Sequence, residues 1–309
     1  MVPNGDRKEK DAPRNTLNLE LVLDAHARIG ESPTWSPTER ALYWIDVKGP
    51  ELFRYHPATG ESRSWKVTSD LGAFALMEGN AALVALRHGI HRLDLKSGAL
   101  DLLAPPPFDP RLFRFNEGVC DTSGRFWVGV MFDPAQGSPP EQRAALHSFT
   151  SAGGLERHAD VAALHNGMAW SADGMRLYLA HSYERAIYAY AFDPKSGALG
   201  GRELFARTPA GIGIPDGAAV DAEEYYWCAV HDGGRLNRYA PDGTLDSEIC
   251  LPVSKPTMCA FAGDDLDILY VTSASDGLSE QQRRVESYAG ALFRLFPGVR
   301  GIPRPYIAR

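Results

Sequence analysis

The sequence predicts an all-β protein folded as a single six-bladed β-propeller, and three observations lead there. Its apolar segments are short, aromatic and β-branched, as at 41–45, 125–130 and 268–272. Turn formers such as Lys96-Ser97-Gly98, Asp173-Gly174 and Asp242-Gly243 punctuate them. The same strand syntax then returns at a nearly constant interval. No stretch keeps a 3.6-residue period beyond about three turns. Only 141–143 and 279–285 qualify as short helical insertions.

Each unit is built around one apolar or aromatic anchor: Tyr43, Leu83, Trp127, Tyr178, Trp227 and Tyr270. Successive anchors lie 40, 44, 51, 49 and 43 residues apart, the size of a four-stranded blade. An apolar strand precedes each anchor strand. About ten residues after the anchor a further strand is expected, at 52–55, 90–93, 187–190, 236–239 and 292–295. Hairpin turns follow two of these, His-Pro-Ala-Thr-Gly at 56–60 and Asp-Pro-Lys-Ser-Gly at 193–197. Six such units fill the chain from Leu17, and neither a linker nor a composition break divides it. One domain over 17–309 is expected, after a flexible tail at 1–16 that carries charge, Pro and Gly but no periodic apolar positions.

Composition narrows the function. With 44% hydrophobic, 23% charged and 10% aromatic residues among 309, the chain is an ordinary globular one. A formal net charge of −7 argues against nucleic acid or an anionic membrane as partner. No apolar run approaches the roughly 20 residues that span a bilayer. The first residues have charges without an apolar run behind them, so no secretory signal is expected. Cys120, Cys228, Cys250 and Cys259 form no C-x-x-C pair and are too few for a disulfide framework. Three of them sit in apolar runs and read as inert buried thiols. A cytoplasmic monomer or weak dimer is expected.

The site of a propeller lies at one mouth of its channel, lined by the innermost strands. Stepping back 11 to 13 residues from each anchor gives Glu31, Gly72, Asn116, Asn166, Asp216 and Thr257. Five of these six carry a side-chain oxygen, although the strands behind them are apolar. Converging on one axis, two carboxylates and two amides would repel or go unpaired without a cation. An all-oxygen set suits a hard divalent ion. Asn-Gly and Asp-Gly pairs are also common turn signals, and Glu31 before Ser-Pro reads equally as a loop carboxylate. Turn chemistry alone, however, does not require the register that the six positions share.

Gly30-Glu31-Ser32-Pro33-Thr34-Trp35, Leu42-Tyr43-Trp44-Ile45-Asp46, Arg114-Phe115-Asn116-Glu117-Gly118, Asn166-Gly167-Met168-Ala169-Trp170 and Pro215-Asp216-Gly217 resemble, in order, the motifs of the SMP-30/gluconolactonase/LRE family. The resemblance runs from about Leu17 to the C-terminus. It implies a six-bladed propeller that hydrolyses a sugar lactone to the aldonic acid. It also implies one divalent metal held by Glu31, Asn166 and Asp216: Ca²⁺ foremost, with Zn²⁺, Mg²⁺, Mn²⁺ or Fe²⁺ as alternatives. Arg114, Asn116 and Glu117 are implied at the substrate, Asn116 near enough to be a metal ligand in some members. The chain departs from the family pattern at His181 and Glu117, where Asp is usual.

The implied chemistry is polarisation of the lactone carbonyl and attack by water, with Asp216 as base. Binding a dication lowers the basicity of a carboxylate. Either one Asp216 oxygen stays free to orient the water, or the cation activates that water. Arg114 suits bidentate contact with sugar oxygens; without the resemblance it reads equally as a solvated surface arginine. Strand alternation turns His165 away from the direction of Asn166. His181 and His231 follow anchor strands and could reach the mouth, but no Ser/His/Asp or H-E-x-x-H arrangement accompanies them. The rival readings are a non-catalytic calcium-binding propeller and an aryl ester or phosphotriester hydrolase on the same scaffold.

Overall fold

The computed structural model describes residues 19–308. The expected flexible tail at 1–16 lies outside the described residues. Six four-stranded antiparallel sheets surround a channel, as blades 1 to 6. Their inner strands are Gly30–Ser36, Leu71–Met77, Phe113–Cys120, His165–Trp170, Ile214–Val220 and Pro256–Ala262. The six anchors all fall on the second strands: Ala41–Asp46, Ala81–Leu86, Phe126–Phe132, Arg176–His181, Tyr226–His231 and Ile268–Ser273. Every expected third strand is present, and blade 3 adds Ala144–Thr150 after a long loop at 133–143. Among the described residues the one α-helix is Glu280–Val285, opened by a capping box between Ser279 and Gln282; 141–143 is irregular. No helix of the described residues is long and apolar enough to cross a membrane.

Large apolar anchors fill the gaps between blades, so the ring is a set of inter-sheet cores rather than one central core. Two tryptophan anchors need a polar partner there, and a buried aspartate supplies it. Asp121 accepts the Trp127 indole N–H at 3.0 Å, and Asp221 accepts that of Trp227 at 2.8 Å. The other oxygen of each aspartate takes backbone N–H groups of the turn beneath, from Ser123 and Arg125 or from Glu223 and Tyr225. Cys120, Cys228 and Cys259 are buried as expected, and Cys250 is exposed.

Blade 6 takes its outermost strand from the other end of the chain. Glu20–Leu23 pairs with Leu292–Leu295, matching Leu21 with Phe293 and Glu20 with Arg294. The ring therefore closes through hydrogen bonds between residues about 270 apart in sequence. The periodic reading did not anticipate this strand, because four residues show too little alternation to be recognised.

Candidate site at the channel mouth

Each inner strand carries a β-bulge at the same height, with one more residue than its partner strand. Glu31, Gly72, Asn116, Asn166, Asp216 and Thr257 are register equivalents. Each follows the residue that pairs three positions beyond the blade's anchor: Gly30, Leu71, Phe115, His165, Pro215 or Pro256. In blades 1, 3 and 4 the next residue has positive φ: Ser32 at 54°, Glu117 at 32° and Gly167 at 59°. Glycine takes this conformation freely, whereas at Ser32 and Glu117 it is strained and persists only where surrounding contacts enforce it. Blade 2 carries glycine at this height, since a Cβ on Gly72 would run into the carbonyl of Phe115.

A chain of amide contacts crosses from blade 3 to blade 4. Arg114 Nη1 donates to Asn116 Oδ1 at 2.6 Å, and Asn116 Nδ2 donates to Asn166 Oδ1 at 2.5 Å. Asn116 Nδ2 also reaches the His165 carbonyl at 2.9 Å, while Asn166 Nδ2 donates to Ser182 Oγ at 2.9 Å. Arg114 and Asn116, two apart on one strand, thus face the same side. Arg114 is no surface arginine: its side chain is 4% exposed. Nε donates to Asp133, Nη1 also to the Phe115 carbonyl, and Nη2 to Met131 Sδ. Four of its five N–H groups are thereby engaged, leaving one for a ligand.

Glu117 departs from expectation. Placed with the substrate by family pattern, its carboxylate instead accepts Gly167 N–H at 2.6 Å and Met168 N–H at 2.7 Å. The bulge rotates it out of strand alternation and into the backbone of blade 4. Thr257 is likewise committed, donating to the Gly30 carbonyl at 2.5 Å and so fixing the residue before Glu31.

Glu31 and Asp216 remain poorly satisfied. Glu31 accepts the N–H of Ser32 at 2.9 Å, and Asp216 that of Gly217. Both are buried. Burial pushes the Glu31 carboxyl up to about 7, against the pull of Ser32 N–H, Arg114 and Arg304. Burial, then the charge of Glu31, pushes Glu117 up to about 8. Asp216 is held well above the usual carboxylate range by burial and then by Glu31 and Glu117. Three carboxyls this close share protons unless a cation joins them.

The histidines lie elsewhere. His165 points away from the Asn166 amide, as alternation requires. His181 does not reach the mouth: it is buried, with Nε2 at 2.9 Å from Asp160 Oδ1, the same oxygen that meets His165 Nε2 at 2.9 Å. His231 turns to Asp232 instead, so it forms no pair with His181. Among the described residues Asp160, His165 and His181 are one compact cluster of potential metal-ligand atoms. The Val130 N–H pointing at His165 Nδ1 (3.3 Å) leaves that nitrogen unprotonated and puts the proton on Nε2, facing Asp160. Tyr190 O–H also donates to Asp160. Asp160 is thus a hydrogen-bond node, shared by His165, His181 and Tyr190, that buttresses the strand carrying Asn166.

Sequence reading missed Asp133, Asp160, Ser182, Tyr183 and Arg304. Asp133 joins Lys48, Asp70 and Arg87 in an ion-pair network beside Arg114. Tyr183, 48% exposed on the 3₁₀ turn Ser182–Glu184, lies within electrostatic reach of Arg114, Asp133 and Asp216. These residues sit in loops and outer strands, where no periodic pattern marks them.

Residues 29–275 match the family described as SMP-30/Gluconolactonase/LRE-like region. The chain is 35% identical to a 6-deoxy-6-sulfogluconolactonase of Pseudomonas putida, over 94% of this chain and 98% of that one. It is 33% identical to a pentonolactonase of Haloferax volcanii, over 93% and 97%. A crystal structure of regucalcin from Agrobacterium tumefaciens, described as a calcium-binding protein, superposes with a TM-score of 0.87 at 25% identity, covering 95% of this chain and 98% of that one.

Proposed function

The chain belongs to the SMP-30/gluconolactonase/LRE family, and on that premise we propose that it hydrolyses a sugar lactone to the aldonic acid with one divalent cation held by Glu31, Asn166 and Asp216. The observation that carries this reading is the pair of buried carboxylates, Glu31 and Asp216, each with one backbone donor and mutually repelling. Asn166 Oδ1 adds a neutral oxygen with a lone pair left over. This donor set fits a hard cation, Ca²⁺ foremost. The Asp160 cluster does not, because its carboxylate already takes the Tyr190 hydroxyl and the Nε2–H of His165.

When bound, such a cation polarises the lactone carbonyl and stabilises the charge that develops on its oxygen. Asp216 has an oxygen to spare beyond its backbone bond, and through it orients the attacking water and takes its proton. That proton then passes to the ring oxygen as the acyl–oxygen bond breaks. Asn116 Oδ1 keeps one lone pair for a sugar hydroxyl, and Arg114 keeps one N–H for a sugar oxygen. Glu117, its oxygens spent on blade 4, positions the Asn166 bulge rather than touching substrate.

The test is acid release from a panel of aldonolactones and a phenyl ester, with and without EDTA. Lactone turnover that EDTA abolishes and Ca²⁺ or another divalent ion restores supports the reading. EDTA-resistant turnover would sink the metal assignment. Preference for the phenyl ester would point to a different hydrolase, and cation binding without turnover to a binding propeller.

A further inference from the structure

The segment 301–308 closes the channel at the end opposite the candidate site. Gly301 N–H donates to the Leu266 carbonyl, and the Tyr306 hydroxyl meets Ser36 Oγ at 2.8 Å. Ile307 and Ala308 N–H groups donate to the carbonyls of Leu76 and Gly124. These contacts reach blades 1, 2, 3 and 6, and Gly301 also bridges Asp221 of blade 5. A cavity of about 160 Å³ remains between it and the inner strands, lined by Val119, Met168, Trp170, Ala219 and Phe261.

Arg304 reaches from this segment into the channel. Nη1 donates to the Pro33 carbonyl at 3.2 Å, and Nη2 to the carbonyls of Ala218 at 3.1 Å and Cys259 at 3.4 Å. None of the ion pairs among the described residues includes it. These carbonyls belong to three consecutive blades of the ring: 5, 6 and 1. Pro33 lies two residues beyond Glu31, inside the bulge of blade 1, and Ala218 lies two residues beyond Asp216, where the bulge of blade 5 ends. One rigid planar guanidinium thus grips the backbone just below both carboxylates.

We propose that Arg304 is a positioning residue that fixes the spacing of Glu31 and Asp216, so that the closing segment is part of the site. This rests on the reading that those two side chains hold a cation. Blades 1 and 5 share no sheet, and blade 6 stands between them. The guanidinium ties all three at the height of the bulges. Its positive charge also faces Glu31 and Glu117, favouring their ionised forms. Lysine retains the charge but has one nitrogen where these contacts use two, held apart in a rigid plane.

The test measures Ca²⁺ affinity by calorimetry, and kcat and KM for a sugar lactone, in wild type, Arg304→Gln, Arg304→Lys and Tyr306→Phe. Loss of a residue that orients ligands typically costs about 10- to 100-fold in metal affinity. Arg304→Gln is expected to weaken Ca²⁺ by that factor and lower kcat with KM nearly unchanged, and Arg304→Lys to recover part of the loss. Tyr306→Phe loosens the same segment from blade 1 and is expected to lower Tm while leaving Ca²⁺ affinity intact. Wild-type affinity in both Arg304 variants, or equal affinity losses in Tyr306→Phe and Arg304→Gln, would overturn the proposal. If Arg304→Gln fails to fold, wild-type affinity in Arg304→Lys still overturns it. Wild-type protein that binds no divalent ion would instead overturn the functional reading on which it stands.

Discussion

The side-chain amide of Asn116 donates to Oδ1 of Asn166 at 2.5 Å, across the seam between blades 3 and 4. Asn166 is thereby oriented from one side by Asn116 and from the other by Ser182. Asn116→Ala removes the first restraint and leaves the amide free to turn. We expect a roughly 10- to 100-fold loss in both Ca²⁺ affinity and kcat/KM, with Tm lowered only slightly. Calorimetric titration checks this. Unchanged affinity would show that Ser182 alone orients Asn166.

The carboxyl cluster sets an unusual pH dependence on the cation-free protein. Glu31 and Glu117 hold their protons up to about 7 and about 8 in the folded chain. An unfolded chain releases them near the ordinary glutamate value of about 4.3. Stability is therefore undiminished below that value, falls as pH rises through the folded values, and levels off above them. Each unit of difference is worth on the order of 1.4 kcal/mol. Scanning calorimetry in EDTA should show Tm lower at about pH 8 than at about pH 5, and Ca²⁺ should remove the difference. A flat profile in EDTA would contradict the arrangement.

Glu31→Gln removes one buried charge while keeping the shape. It should retain the fold, shrink that pH effect and weaken Ca²⁺, because the charge–charge attraction is lost. Unfolding of the variant in plain buffer, rather than loss of affinity, would assign Glu31 a structural role.

Arg114 serves Asp133 from Nε and both the Phe115 carbonyl and Asn116 from Nη1, a spacing that the one nitrogen of lysine does not reproduce. Arg114→Lys and Arg114→Ala should both reduce kcat/KM on sugar lactones by about 10- to 100-fold, or ~1–3 kcal/mol. A δ-lactone without hydroxyls should lose less. Equal losses on both substrates would reduce Arg114 to a scaffold for Asn116.

Deleting residues 1–16 should leave Tm and activity nearly unchanged. Extending the deletion through residue 24 removes the strand Glu20–Leu23 and bares the edge of Leu292–Leu295. An open hydrophobic edge destabilises the ring and invites pairing between molecules. Tm should drop steeply and light scattering should rise. Retention of wild-type Tm by the longer deletion would mean that the ring needs no such closure.

The sequence by itself determined the architecture and the height of the site. Strand alternation, turn chemistry and the aromatic anchors from Tyr43 to Tyr270 are properties of neighbours in the chain, and they repeat often enough to be counted. The same repetition places Glu31, Asn116, Asn166 and Asp216 at equivalent positions. Only the tertiary structure decided which way those side chains turn and what they have left to offer. At a bulge, side-chain direction depends on the partner strand and not on alternation, which is why Glu117 went to the backbone of blade 4. Asp160, Ser182 and Arg304 meet the site from loops, an outer strand and the closing segment. The contacts of Arg304 span up to 271 residues of sequence. Contacts of that range are set by how the sheets close around the channel, and no local pattern encodes them.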